Sequence, residues 1–157
     1  MIVALFALAL SSPPQAAPAP TAPTAMSETA LRTWVERTVR TDGWVILAAD
    51  QMAVALGQAP GVTRDGEIVT ATIRHEYYAP FEIGGFTTRS NRQRRQFDCA
   101  GLRQRTVEMT LYAGNNLTDV LEARAFPDAE WTATTPNSVS RTVLDRACAA
   151  ARGTTGW

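Results

Sequence analysis

The chain has no lysine, one histidine, two cysteines and, before Glu28, no charged side chain at all. Each scarcity excludes something. All fifteen basic residues are Arg and are balanced by fifteen acidic ones, so no net field draws the protein toward nucleic acid or an anionic membrane. The lone His75 has no second His, no Cys-x-x-Cys and no close carboxylate cluster beside it, which leaves a metal centre or a nucleophilic triad without parts. No P-loop or dinucleotide fingerprint surrounds Gly84-Gly85, and no internal repeat is present. The sequence calls for no cofactor.

The uncharged head has two parts. Ile2 to Leu10 is a continuous apolar run with the length of a signal-peptide core, far short of the roughly 20 residues that cross a membrane. Residues 11–25 are almost entirely Ser, Pro, Ala and Thr, a composition that stays extended rather than packing. We expect a signal peptide over 1–17, a linker over 18–27 and one domain over 28–157, with a retained N-terminal tail as the alternative to cleavage. No Lys or Arg precedes the apolar run, which points to a start further upstream. The mature chain then sits in the periplasm, is secreted, or lies at the cell surface. It carries no transmembrane span, and about 130 residues suffice for one core.

Along that domain the periodicities switch. Leu31, Trp34, Val35 and Val39 fall at helical spacing behind Ser27 as N-cap. Trp44–Ala49 and Met52–Leu56 read as a hairpin. In Ile68–Ala79 the odd positions Val69, Ala71, Ile73, His75 and Tyr77 face a core, while Thr70, Thr72, Arg74 and Glu76 face water; Pro80 ends the strand. Thr87–Phe97 is polar on both faces and suits a sheet edge. Leu102–Ala113 points Val107, Met109 and Leu111 inward, and Thr118–Ala125 returns after the Gly114-Asn115-Asn116 turn. Asn116-Leu117-Thr118 also matches a glycosylation acceptor. Pro136-Asn137-Ser138 starts, and Gly153 stops, a helix with Val143, Leu144, Ala147, Cys148 and Ala151 on one face. The fold class is therefore α+β: a five- to six-stranded antiparallel meander with a C-terminal helix on one face.

Cys99 closes the polar strand and Cys148 lies on the apolar stripe of the last helix. In an exported chain with an even count they pair rather than remain two separate thiols, closing a loop of about 50 residues.

A Trp-led strand at Trp44, a strand ending in aromatics at Tyr77-Tyr78, Asp98-Cys99 opening a strand that ends in Tyr112, then Trp131, Pro136-Asn137-Ser138 and a helical Cys148 follow in order. This arrangement resembles the surface-adhesin protein E-like family of exported bacterial proteins over about Asp42 to Arg152. The resemblance implies a disulfide-tied antiparallel sheet with a packed helix. It also implies adhesin-like binding of host matrix proteins, with dimerisation possible. The founding adhesin is lipid-anchored; this chain has no Cys near its N-terminus, carries Val54-Ala55-Leu56 where relatives have an Asp-led turn, and adds the 28–40 helix.

One cluster stands out as a candidate interaction site. Arg89, Arg92, Arg94, Arg95, Arg103 and Arg105 fall within 17 positions against one acid, Asp98. They form either an anion-binding stripe for an acidic protein or glycan, or cross-strand partners in which Arg92 and Arg94 face Glu76 and Glu108. Glu76 and Glu108 read as solvated side chains rather than an acid–base pair, and His75 as a hydrogen-bonded core or edge residue. The function expected is a non-catalytic envelope protein of adhesin-like or binding type. The alternative is a periplasmic inhibitor or assembly partner of another envelope protein.

Overall fold

The computed structural model describes residues 27–58 and 60–153. The expected signal peptide, nearly all of the expected linker, residue 59 and the last four residues lie outside the described residues. Its elements run α1 (Glu28–Thr38), β1 (Val45–Ala49), β2 (Ala53–Gly57), β3 (Thr63–Asp65), β4 (Ile68–Ile83), β5 (Phe86–Asp98), β6 (Arg103–Tyr112), β7 (Val120–Ala125), β8 (Thr132–Ala133) and α2 (Val139–Ala151). The sheet is an antiparallel meander ordered β1-β2-β4-β5-β6-β7, with β3 added to β4 and β8 to β6. Two short strands thus extend the five- to six-stranded meander read from the sequence, whose main path has six strands.

Local chemistry sets the corners. Asp50 turns β1 into β2 by accepting the Met52 and Ala53 backbone N–H groups at 2.8 and 2.9 Å. Gly84 and Gly85, at φ 59° and 86°, supply the positive φ that a tight β4–β5 hairpin needs at both central positions. Pro80 does not end β4. The strand continues to Ile83 because the β4–β5 register shifts between Glu76 and Phe81, so the missing proline N–H falls where the ladder is already interrupted.

Each face of the sheet carries a helix. The first core packs Val143, Leu144, Ala147 and Cys148 of α2 against Leu47, Ala55, Val69, Ala71, Ile73 and Phe97. Cys99 and Cys148 are bridged, their Cα atoms 5.9 Å apart across 49 residues of chain. On the opposite face Trp34, Val35 and Val39 pack on Val54, Leu56 and Tyr78, and Trp34 meets Tyr78 edge-on at 4.9 Å. Helix α1 is capped as read from the sequence, Ser27 Oγ accepting from the Ala30 N–H at 3.1 Å. It covers only the β1–β2 end of its face. Beyond it the 114–117 loop covers Glu76 and Ser90, and the part of the face that carries Arg92 and Arg94 is exposed.

Candidate functional site

Strand β5 is not an edge. It lies between β4 and β6, pairing with both over most of its length. A polar strand survives there because its side chains bond to one another and to neighbours. Alternation then divides the arginine run: Arg89 and Arg95 share the α2 side with Phe97, whereas Arg92 and Arg94 share the other. Arg103 and Arg105 lie opposite Asp98 and Gln96, which places them with Arg92 and Arg94. The stripe is therefore four residues on one face and two on the other.

A bulge makes that grouping. Arg94 faces Glu108 but Arg95 faces Thr106, so Val107 is an extra residue in β6. Before it, odd residues Arg103 and Arg105 point to the open face; after it, even residues Glu108 and Thr110 do. The uninterrupted alternation read over residues 102–113 holds only beyond the bulge.

On the open face Arg94 pairs with Glu108 at 3.0 Å and Arg103 with Asp98 at 2.8 Å. Arg105 donates Nε–H to Gln96 Oε1 at 2.8 Å and lies 4.7 Å from the centre of the Trp131 ring, with Arg103 at 5.4 Å. Arg92 lies opposite Arg74 and Thr110, not Glu76, and makes no ion pair among the described residues. It is exposed and lines a depression of about 160 Å³ with Gln58, Thr72, Arg94, Glu108 and Thr110. Four guanidinium groups against two carboxylates leave this strip with an excess positive charge. Asp98 does not take up protons to change that: the Gly101 N–H and Arg103 hold its carboxyl below the usual range.

Between the strip and α1 lies a buried charge pair. Glu76 is fully buried, not solvated, and accepts from Arg74 Nε at 2.6 Å, Asn115 Nδ2 at 2.8 Å and the Asn116 N–H at 2.9 Å. Burial raises its pKa, opposed by Arg74 and these donors. Arg74 reaches the Arg40 carbonyl at 2.9 Å and Asn116 Oδ1 at 2.8 Å, while Asn116 Nδ2 donates to the Thr38 carbonyl at 2.8 Å. Asn116 thus fastens the C-terminal end of α1 to the sheet, and its amide nitrogen is engaged there instead of presented as an acceptor for sugar. Asn116, Leu117 and Asp119 all hold positive φ near 60°, a loop shape these bonds stabilise.

On the α2 side His75 Nδ1 faces Asn91 Oδ1 at 3.1 Å. Burial and the nearby Arg95 push its pKa down to about 3, so the ring is neutral. Among the described residues no three His, Cys, Asp or Glu side chains are grouped to hold a metal, and no helix is long and apolar enough to cross a membrane.

Trp131 stands in the sequence as a landmark of the family resemblance; nothing in the local pattern places its ring on Arg103 and Arg105. Asn115 and Asn116 read as turn residues, Asn116 also as a glycosylation acceptor.

The family model for surface-adhesin protein E matches residues 44–149, leaving α1 outside the matched span. The fold is similar to that of Haemophilus influenzae protein E. Its crystal form II aligns at a TM-score of 0.55 and 16% identity over 71% of this chain and 91% of that one. The Se-Met form aligns at 0.52 and 15% identity over 71% of this chain and 90% of that one. No curated protein matches. At such identities the structural likeness carries the fold.

Proposed function

Because the chain belongs to the surface-adhesin protein E family, we propose that it is an exported, non-catalytic bacterial envelope protein that binds an anionic partner through the open sheet face. Arg92 supports this reading most directly. It is exposed beside the 160 Å³ depression, makes no ion pair among the described residues although Glu108 lines the same depression, and is flanked by Arg94 along the strand. Side chains two apart on a strand repeat every ~7 Å, so Arg92, Arg94, Arg105 and Arg103 form a row suited to a linear polyanion such as an acidic glycan. Arg94 and Arg103 are already paired with Glu108 and Asp98, which leaves Arg92 and Arg105 as the members of the row without an ion pair among the described residues.

Surface plasmon resonance on immobilised heparin, at several salt concentrations, tests the reading. The wild type binds with a salt-dependent affinity, and the double variant R92E/R94E loses at least tenfold. Unchanged binding by that variant would refute the assignment. Capture of a single stoichiometric periplasmic enzyme, indifferent to both substitutions, would instead make the protein an inhibitor or assembly partner.

A further inference from the structure

We propose that the α2 side of the sheet holds a second, separate site: a receptor for one carboxylate, centred on Arg95 and backed by a ladder of amide and hydroxyl groups. The residues alternate toward α2 on β4, β5 and β6, next to the core formed by Phe97 and Ala71. Arg95 Nε donates to Gln93 Oε1 at 2.6 Å, and one terminal nitrogen donates to Gln104 Oε1 at 3.3 Å. Thr106 Oγ1 also donates to Gln93 Oε1, at 3.3 Å. Gln93 Nε2 donates to Asn91 Oδ1 at 3.1 Å, and Asn91 Nδ2 donates to the Tyr77 hydroxyl at 2.8 Å.

These bonds have one direction. Asn91 Oδ1 is an acceptor for Gln93, so the His75 Nδ1 facing it carries a hydrogen. Each amide oxygen in the ladder is turned to a donor, and the Gln93 and Asn91 oxygens each accept two. Arg95 spends two of its five N–H groups on these partners and pairs with no carboxylate among the described residues. Asp50 acts on His75 and Tyr77 through space, but its Oδ1 is held by the Met52 and Ala53 N–H groups of its own turn. Glu122, on β7, is paired with Arg124 at 2.7 Å. The site therefore has surplus donors, one cation and no anion.

Burial sharpens the imbalance. Asn91 is fully buried and Gln93 is 7% exposed, while Arg95 remains partly open to solvent at the margin. Burial lowers the Arg95 pKa to about 10, still charged at neutral pH. A monoanion matches the single cation; a dianion would leave one charge uncompensated at a partly buried site. A carboxylate also presents two oxygens to a planar guanidinium, the pairing Arg makes best.

His75 is the only histidine in the chain, so its imidazole signals in a nuclear magnetic resonance spectrum of the whole exported protein report on the ladder alone. Acetate is titrated against chloride and sulfate at matched ionic strength, with the tripeptide Gly-Glu-Gly as a further arm. The expected result is a saturable shift with acetate that chloride does not reproduce and sulfate reproduces more weakly. R95Q weakens it at least tenfold, while R92Q, on the opposite face, leaves it unchanged. Saturation by the tripeptide at similar concentration assigns the carboxylate to an acidic side chain, and saturation by acetate alone assigns it to a small acid. Equal responses to acetate and chloride in the wild type would overturn the proposal whether or not R95Q folds. An undiminished acetate response in a folded R95Q would do the same.

Discussion

The two faces of this sheet solve the same problem by opposite means. Under α2 the sheet is closed by an aliphatic core and a covalent bridge, and its polar residues are turned toward one another. Under α1 the closure is partial: an 11-residue helix rests on Trp34, Val35 and Val39, is fastened by Asn116, and leaves the rest of the face to solvent and arginine. The three buried side-chain polar atoms without partners among the described residues, Trp34 Nε1, Thr38 Oγ1 and Tyr78 Oη, all belong to the α1 side. Such atoms weaken packing by leaving desolvation uncompensated. The family match also begins after α1. The α2 face thus carries the covalent and aliphatic closure, and the α1 face a smaller core.

The largest effect that would break this contrast falls on the bridge. Replacing Cys99 and Cys148 with Ser releases a 49-residue loop and lowers stability by about 4 kcal/mol in urea unfolding. A loss no larger than that of a surface substitution would mean that α2 is held by packing alone. Asn116→Ala comes next. It strips bonds from the Thr38 carbonyl, the Arg40 N–H and Arg74, costing about 2 kcal/mol and releasing α1 while the sheet persists. Circular dichroism should show helix loss ahead of sheet loss; simultaneous loss would join the two faces into one unit.

His75 contributes a pH dependence from the α2 side. Its folded pKa of about 3 lies below its ordinary 6.5, so between those values the unfolded chain binds a proton that the folded chain does not. Stability is complete above about pH 6.5 and falls toward pH 3, by at most about 1.4 kcal/mol per pH unit from this group. In His75→Gln the slope over that window should flatten, and an unaltered slope would remove His75 from the buried ladder. The smallest stability effect belongs to Arg92→Glu, within about 0.5 kcal/mol. That substitution acts on binding alone, which separates the open face from the closed one.

Much of the closed face was readable in advance. Strict alternation in Ile68–Tyr78 and the apolar stripe of residues 143–151 mark packed surfaces directly, and the paired cysteines follow from where the stripe and the polar strand end. The open face was harder for physical reasons. Arg74 and Glu76 look like solvated residues of a strand, yet each neutralises the other in the interior, and their partners Asn115 and Asn116 come from a turn some 40 residues away. Strand β5 resembles an edge because polarity cannot reveal whether side chains meet water or one another. The Val107 bulge shifts which residues share a face by a single extra residue, and no composition signals it. The grouping of four arginines on one face is a product of that bulge.

Arginine footprinting with phenylglyoxal, read by mass spectrometry with and without bound heparin, tests the division of the faces most directly. Heparin should protect Arg92, Arg94 and Arg105 together while the reactivities of Arg89 and Arg95 stay the same. Protection centred on Arg89 and Arg95, or spread evenly over all six positions, would contradict it.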